Sequence, residues 1–180
     1  MHMKSFKGFF LTFMGRGFIC RMYASYVEDD NSFLLAAVED GRAVGFAACT
    51  MNASGLYRFM IKRHFFPMLG CCAAAFFKKP GLVIKRIGRF MKKETKASGE
   101  PALRLSSIGV LPAFQSRGIG TAIIKEIKSR TDFDRYYISL DTDAVGNEKA
   151  TGFYEKNGFV RRREFSALEG RRMYEYIYKE

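Results

Sequence analysis

Two glycines in the second half of the chain lie where the phosphate of a ligand could meet the backbone. Gly118 and Gly120 coincide with the first turn of a helix pattern in which isoleucine recurs every four residues, at Ile119, Ile123 and Ile127. The first N–H groups of a helix have no partner within it, and the helix dipole favours an anion there. Because glycine has no Cβ atom, an anion can approach its backbone closely. This loop is therefore a candidate site for a phosphate or pyrophosphate.

Two predicted strands position the loop. Residues 103–110 alternate apolar with small or polar side chains, and residues 136–140 predict the next strand, which Asp141 follows. A dinucleotide site would use an acidic residue at that place. However, it needs a third glycine where Ile123 stands, and it needs the glycines directly after the strand. A different nucleotide site and a glycine turn without a ligand both remain open on these residues alone.

Four motifs follow one another in this half of the chain. Residues 108–112 form a β-prone segment that ends in Leu-Pro, and residues 115–120 are Gln-Ser-Arg-Gly-Ile-Gly. Residues 140–143 form another β-prone segment, and residues 147–159 form a short helix pattern that ends in Asn-Gly-Phe. In this order they resemble the fourth strand, the Gln/Arg-x-x-Gly-x-Gly loop, the fifth strand and the next helix of the GCN5-related N-acetyltransferases, the GNAT superfamily. The resemblance runs from about residue 102 to the C-terminus.

The resemblance implies that the co-substrate is acetyl-CoA and gives each motif a role toward it. Backbone groups of Ile108 and Val110 would pair with the pantetheine arm, and Asn147 would contact the same chain. Tyr154 would protonate the departing CoA thiolate. Arg117 would either add a charge at the pyrophosphate or lie in solvent. The backbone N–H groups that would hold the pyrophosphate belong to Gln115, Ser116, Arg117, Gly118, Ile119, Gly120 and Thr121.

The spacing of Asn147 and Tyr154 gives independent support to their pairing. They are seven residues apart, which is two helical turns, so they would share a helix face. An unperturbed tyrosine has a pKa of about 10 and a thiol one of about 8.5, so proton transfer to a leaving thiolate is chemically reasonable. The alternative for Tyr154 is a core aromatic residue with a hydrogen-bonded hydroxyl.

No side chain is an obvious base for the acceptor amine. Members of this family often use a carboxylate on the fourth strand, but here that strand offers Arg104, Ser106 and Ser107. Asp141 and Asp143 are substitutes, or they are loop or helix-capping residues, which is the commoner role of Asp at such places. We assign no base from the sequence, and a chain of water molecules could serve.

These elements predict an α/β (α+β) fold of the GNAT type, with a mixed central sheet that is splayed between the family's strands four and five. Residues 33–38 and 42–50 predict a hairpin, because the Asp-Gly pair that begins at Asp40 favours a two-residue turn. Residues 6–15 resemble the end of the family's first helix, and residues 18–26 resemble its second helix. We therefore expect the family's first strand to be missing.

A long insertion at about residues 52–99 separates the family's strands three and four and looks mostly helical. No Asp or Glu occurs from residue 41 to residue 93. The insertion could be a helical hairpin with solvated cations, a membrane-surface element, or a basic rim that recruits an anionic acceptor. Residues 64–77 contain Pro67 and fall short of the ~20 apolar residues of a membrane span. The basic residues of the insertion are Arg58, Lys62, Arg63, Lys78, Lys79, Lys85, Arg86, Arg89, Lys92 and Lys93.

Composition predicts one domain over residues 1–180. A chain of 180 residues with 48% hydrophobic residues can bury a good core, despite a net charge of +12. His2 and His64 are expected to be incidental, and no metal site is expected because no Cys-x-x-Cys pair occurs. Free thiols suit a reducing cytoplasm. The cysteines are Cys20, Cys49, Cys71 and Cys72.

The sequence thus predicts a cytoplasmic N-acetyltransferase that uses acetyl-CoA, with direct attack by a small-molecule primary amine in a ternary complex. Backbone of the fourth strand would polarise the thioester carbonyl. The resemblance to enzymes with similar basic insertions suggests an amino sugar as the acceptor. The alternative is a non-catalytic CoA-binding module, tethered through the insertion to a membrane surface or nucleic acid. Nucleic acid is the less expected partner, because the aromatic residues look like core residues. The oligomeric state is left open.

Overall fold

The computed structural model describes residues 2–5, 12, 14–78, 101–167 and 170–180. A single-turn 3-10 helix, Pro112–Phe114, follows the third strand. The remaining elements, in chain order, are α1 (His2–Ser5), α2 (Arg16–Glu28), β1 (Ser32–Glu39), β2 (Arg42–Thr50), α3 (Ala53–Lys78), β3 (Ala102–Val110), α4 (Ile119–Ser129), β4 (Tyr137–Asp143), α5 (Glu148–Lys156), β5 (Val160–Ser166) and β6 (Arg172–Tyr178).

Six strands form one mixed sheet in the order β1-β2-β3-β4-β6-β5. Only β3 and β4 pair in parallel, and the other neighbours are antiparallel. A parallel pair needs a crossover connection, and α4 supplies it between β3 and β4. The predicted α/β fold with a mixed central sheet is confirmed.

The predicted hairpin is β1 and β2, which are antiparallel. Asp40 and Gly41 connect the strands with φ angles of 50° and 72°. Two successive residues with positive φ are the signature of a type I′ turn, whose twist matches that of the paired strands. The Asp-Gly pair therefore identified both the hairpin and its turn.

Apolar cores cover the two faces of the sheet. Ala47 of β2 belongs to one core and its neighbour Ala48 to the other, so the cores lie on opposite faces. On the first face, α4 and α5 pack on the sheet; the buried residues of α4 are Ile123, Ile124 and Ile127, as the helix pattern predicted. On the second face, α2 and α3 bury Met22, Tyr26, Leu56 and Met60.

The insertion begins as one long bent helix, α3. The bend is at His64, which has non-helical angles of φ −121° and ψ 15°. Pro67 explains the bend, because its ring crowds the carbonyl four residues earlier and it has no N–H to donate. In the described part of the chain, no helix has both the length and the apolar character needed to cross a bilayer.

Several predictions fall on residues that the structure does not describe. These are most of the helix predicted for residues 6–15 and the second half of the insertion, residues 79–99, with its cations Lys79, Lys85, Arg86, Arg89, Lys92 and Lys93. The expected absence of the family's first strand and the division into a single domain with an insertion also stay predictions. The predicted helix over residues 18–26 is confirmed, since it lies within α2.

Candidate active site

A gap opens in the middle of the sheet. β3 and β4 pair only over three residues, Ala102 to Arg104 on β3 and Tyr137 to Ser139 on β4. Beyond these pairs, β3 continues to Val110 and β4 continues to Asp143 without contact in the ladder. β3 and β4 are the strands that correspond to the family's strands four and five. The sheet is therefore splayed where the sequence predicted.

The backbone of β3 presents polar groups to this gap. The Leu111 N–H donates to the Val44 carbonyl at 2.8 Å, so the backbone at this position points toward β2. Because backbone direction alternates along a strand, the amides of Ile108 and Val110 point the other way, toward the gap. The Gln115 side chain donates through Nε2 to the Val110 carbonyl at 3.2 Å and ties the next loop to the strand end.

The loop between β3 and α4 carries a row of open N–H groups. Ser116 and Gly118 have φ angles of 62° and 79°, which turn the chain into α4. Among the described residues, no acceptor bonds any backbone N–H from Ser116 to Thr121, and the first paired one is Ala122, which donates to the Gly118 carbonyl at 2.9 Å. Successive amides at a helix start form a concave anion site. The N–H of Gln115 is already bonded to the Pro112 carbonyl, at 3.3 Å.

The two glycines of this loop are needed for different physical reasons. Gly118 has a left-handed backbone, and a Cβ atom on it would meet nothing within 4 Å. A Cβ atom on Gly120 would lie 3.0 Å from the Phe153 ring of α5. The expectation that both glycines keep space for an anion is therefore corrected in part, because Gly120 lets α4 and α5 approach each other.

Arg117 lies at the rim of the loop with two partners. Its Nη1 is 3.6 Å from Oε1 of Glu39, and its guanidinium lies over the Phe114 ring, 5.0 Å from the centroid. The side chain is more than half exposed, so this ion pair is weak and solvated. Arg117 can therefore turn toward an anion in the loop at little cost.

Tyr154 lies in the core beside the gap. It belongs to the same cluster as Leu105 of β3 and Leu140 of β4, the strands on the two sides of the opening. Its ring packs against Phe153 and Phe159. Burial raises the pKa of Tyr154 to about 12. Among the residues described, no side chain or backbone group is hydrogen-bonded to its hydroxyl, so the general acid and the core aromatic residue both stay predictions for Tyr154.

Asn147 lies immediately before α5, with φ −132° and ψ 33°. Its side chain donates through Nδ2 to Oγ1 of Thr142 at 2.7 Å, which fixes it to the end of β4. Asn147 is therefore not part of the helix that carries Tyr154, and the shared-face argument does not describe the pair. The residue nevertheless lies at the β4 side of the gap.

The two aspartates considered as bases are both ion-paired. Asp141 is bonded to Arg104, across the point where β3 and β4 separate. Asp143 accepts from Arg171 at 3.0 Å and 2.6 Å. A carboxylate that already accepts from a guanidinium is poorly placed to take a proton from an amine. The helix-capping alternative does not describe these residues either.

One buried carboxylate was not found from the sequence. Glu175 is directly opposite Asp141 in the β4–β6 pairing and is only 3% exposed. It accepts from Nε of Arg163 on β5 at 2.5 Å. The sequence feature that could have revealed Glu175 is the alternation in β6. Tyr174 and Tyr176 face the first core, so Glu175 lies on the second face.

A hydrogen bond joins α1 and α2 on the second face, close to β3. The Tyr23 hydroxyl lies 2.7 Å from Nδ1 of His2. Ser107, which directly precedes Ile108 on β3, lies near enough to this hydroxyl to lower its pKa. Burial, followed by the N-terminal charge, lowers the pKa of His2, and burial raises that of Tyr23. His2, which was expected to be incidental, is therefore tied to α2 through Tyr23. His64 has only a 3.7 Å contact with Glu28.

Thiols and metal-binding groups play no visible part in this site. Cys49 is buried, Cys71 is half-buried and Cys20 is exposed, and each is a free thiol. Within the described ranges, no three His, Cys, Asp or Glu side chains lie together as a metal site would require. Burial raises the pKa of Cys49 to about 12, which shows how strongly this core disfavours a thiolate.

An open sheet edge beside a row of unpaired N–H groups at a helix start suits a co-substrate that carries a pyrophosphate, as the motifs predicted. The model of the acetyltransferase (GNAT) family matches residues 7–159 of the chain. The protein therefore belongs to the GNAT family of acetyltransferases. Among curated proteins, none matches the chain significantly.

Solved structures share the fold at low sequence identity. An N-acetyltransferase from Staphylococcus aureus Mu50 is 16% identical, with a TM-score of 0.56 over 81% of this chain and 69% of that one. Naa50 from Arabidopsis thaliana, in complex with the bisubstrate analogue CoA-Ac-MVNAL, is 19% identical, with a TM-score of 0.52 over 89% of this chain and 80% of that one. These likenesses confirm the predicted GNAT fold.

Proposed function

We propose that the protein transfers an acetyl group from acetyl-CoA to a primary amine by direct attack in a ternary complex. The observation that carries this proposal is the row of six unpaired backbone N–H groups, Ser116 to Thr121, next to the open edge of β3. Such a row suits a pyrophosphate, and the strand edge suits an amide-containing arm. The CoA analogue in the Naa50 complex is consistent with that co-substrate.

Each predicted binding residue has a role that fits its position. The N–H groups from Ser116 to Thr121 hold the pyrophosphate, and Arg117 adds a mobile charge at the rim. Gln115 acts differently from the prediction, because its side chain orients the end of β3. Ile108 and Val110 offer backbone groups to the pantetheine arm, and Asn147 borders the arm from the β4 side.

Tyr154 is the proposed general acid. Its pKa of about 12 keeps it protonated at neutral pH, so it can donate to the departing thiolate. A free thiol has a pKa of about 8.5, which would make the transfer unfavourable in water. Burial reduces this mismatch, because it disfavours a thiolate, as the raised pKa of the Cys49 thiol in the same cluster indicates.

The acceptor amine approaches from the other face in this proposal. Ile108 packs against the core that holds Tyr154, so its neighbour Ser107 faces the side of α2. The Tyr23 hydroxyl, which lies near Ser107 and 2.7 Å from Nδ1 of His2, offers a path by which the amine can lose its proton. His2 with a lowered pKa is neutral at physiological pH and can accept that proton.

A polyhydroxylated amine without a second charged group, such as an amino sugar, is the proposed acceptor class. The second face around the gap carries three guanidinium–carboxylate pairs, in which Asp141, Glu175 and Asp143 are each bonded to an arginine. Paired charges still have donor and acceptor groups to offer, but they create no strong net field. They therefore suit an acceptor that carries hydroxyl groups better than one that carries a second charge.

The test is turnover of acetyl-CoA with a panel of amino sugars, polyamines and peptides with free N-termini. Release of free CoA thiol is followed continuously, and the acetylated product is identified by mass spectrometry. We expect one class of amine to give thiol release equal to the product formed. Binding of acetyl-CoA without acceptor-dependent release for any amine would favour the non-catalytic module instead.

A further inference from the structure

α3 has one face buried and one face exposed. Leu56 and Met60 are 1% and 7% exposed, and they pack against α2 and β2. The exposed face carries large apolar side chains: Tyr57, Ile61, Phe65, Phe66 and Leu69, which are 41%, 59%, 49%, 80% and 52% exposed. Tyr57 and Ile61 are four residues apart before the bend at His64, and Phe65 and Leu69 are four apart after it, so each arm of α3 carries an exposed apolar pair on one face. These two pairs are called the apolar stripe.

This concentration is unusual for a solvent-facing helix. Of the eleven large hydrophobic residues that are exposed in the described part of the chain, five lie in this one stretch of α3. Scattered apolar residues on a surface need no explanation, whereas a contiguous patch marks an interaction surface. Phe65 and Phe66 also contact each other edge to face, with centroids 5.3 Å apart, which extends the patch across the helix.

Cations flank the apolar stripe. Arg58 and Lys62 each follow a stripe residue and are exposed, and Arg63 is exposed beyond them. Within the described part of the chain, Arg63 is the one of these three cations with an acidic partner, Glu28 at 3.4 Å, and its side chain is 68% exposed. α3 itself contains no Asp or Glu. A partner that matches this surface would therefore carry negative charge beside a hydrocarbon-like layer.

We propose that α3 is a membrane-docking surface that lies on bilayers containing anionic lipid. α3 is apolar on both its buried and its exposed face, so it is the combination of exposed aromatic and aliphatic side chains with neighbouring cations that suits the interface of an anionic bilayer. The helix would rest in the interface and not cross it, in keeping with the absence of a spanning helix from the described residues. This proposal does not depend on the acetyl-transfer reaction, so its tests need no acceptor.

The first experiment measures binding of the full chain to vesicles by co-sedimentation. Vesicles of phosphatidylcholine with phosphatidylserine are compared with vesicles of phosphatidylcholine alone. We expect binding to the anionic vesicles only, with affinity that falls as salt rises. Each basic residue near an anionic surface strengthens binding about fivefold, so the double variant Arg58→Gln/Lys62→Gln is expected to bind about 25-fold more weakly. The matched control, Lys125→Gln/Lys156→Gln, removes the same charge from exposed positions on α4 and α5 and is expected to bind like wild type.

The second experiment uses the absence of tryptophan from the chain. The variant Phe66→Trp places a single indole on the exposed face, and its emission is expected to shift to the blue and to be quenched by brominated lipid. Val160→Trp is the control, because Val160 is 66% exposed on β5 and should not respond. Folding of each variant is checked by circular dichroism.

Three results would overturn the proposal. One is no binding of the wild type to anionic vesicles at physiological salt. Another is that both double charge variants bind anionic vesicles equally weakly, which would mean a nonspecific effect of net charge. The third is tight binding of single-stranded RNA or DNA with no vesicle binding, which would assign the exposed phenylalanines to base stacking instead.

Discussion

Two buried tyrosines in one cluster offer a paired test of the proposed acid. Tyr154 and Tyr176 have ring centroids 6.0 Å apart, and both are 9% exposed or less. The Tyr176 hydroxyl donates to Oε1 of Glu155 at 2.7 Å, whereas the Tyr154 hydroxyl has no partner among the described residues. Replacing either by phenylalanine removes one oxygen and keeps the ring. The two variants therefore separate catalysis from stability.

We expect Tyr154→Phe to lower kcat by about 10²–10⁴-fold, the usual contribution of a general acid, which is about 2.7–5.4 kcal/mol of activation free energy. Its stability should change little, because no hydrogen bond is lost. Tyr176→Phe should lose about 0.5–1.5 kcal/mol of unfolding free energy with its bond to Glu155. For a domain of this size, 1 kcal/mol corresponds to about 2–4 °C in Tm. Its kcat should stay close to wild type.

The assay is steady-state release of CoA thiol with the identified acceptor, together with thermal unfolding and titration of acetyl-CoA. Tyr154→Phe should bind acetyl-CoA as tightly as wild type, because its hydroxyl acts in the transition state. If Tyr154→Phe kept kcat within about threefold of wild type, or if Tyr176→Phe lost as much kcat as Tyr154→Phe, Tyr154 would be a core aromatic residue and the acid assignment would be refuted.

Three further predictions concern packing, proton transfer and pH. Gly120→Ala should cost about 1–3 kcal/mol of unfolding free energy, because its Cβ meets the Phe153 ring, and Phe153→Leu should restore part of the loss. Tyr23→Phe should lower kcat/KM by about 10²-fold and alter its low-pH limb, which in wild type lies below pH 6.5 because burial lowers the pKa of His2. Because burial raises the pKa of Tyr154 to about 12, its contribution to stability is complete below pH ~10 and is lost as pH rises toward 12, so Tyr154→Phe should unfold less readily at alkaline pH.

Each of these predictions has a result that contradicts it. A Gly120→Ala variant as stable as wild type would show that α4 and α5 can shift apart freely. An unchanged pH profile in Tyr23→Phe would remove His2 and Tyr23 from the proton path. An identical alkaline transition in Tyr154→Phe, measured by circular dichroism, would mean that the hydroxyl is better solvated than its burial indicates.

Local patterns predicted the parts of the fold that local physics determines. The glycine loop, the isoleucine repeat of α4 and the Asp40-Gly41 turn each depend on backbone conformation or on side-chain period within a few residues. The order of the motifs added the sheet topology, including the gap beyond Arg104, because it identified the family. These features can be predicted from a sequence because the residues that determine them lie close together along the chain.

Contacts between distant residues could not be predicted in this way. The clash that requires Gly120 involves Phe153, and the partner of Asp141 is Arg104, 37 residues earlier. Ser107, Tyr23 and His2 come together only when α1 and α2 pack on the second face of the sheet. Nothing in the spacing of these residues indicates that they meet. The proposed proton path and the ion-paired aspartates could therefore be identified only from the three-dimensional structure.

The most direct test of the proposed acetyl-CoA site is amide NMR of the labelled protein during a titration with acetyl-CoA. We expect the N–H signals from Ser116 to Thr121 to move downfield together at saturation, as they acquire hydrogen bonds to the pyrophosphate, while the bonded N–H of Ala122 changes little. Shifts that avoid this loop, or the same shifts with NAD and none with acetyl-CoA, would contradict the assignment of an acetyl-CoA site to the start of α4.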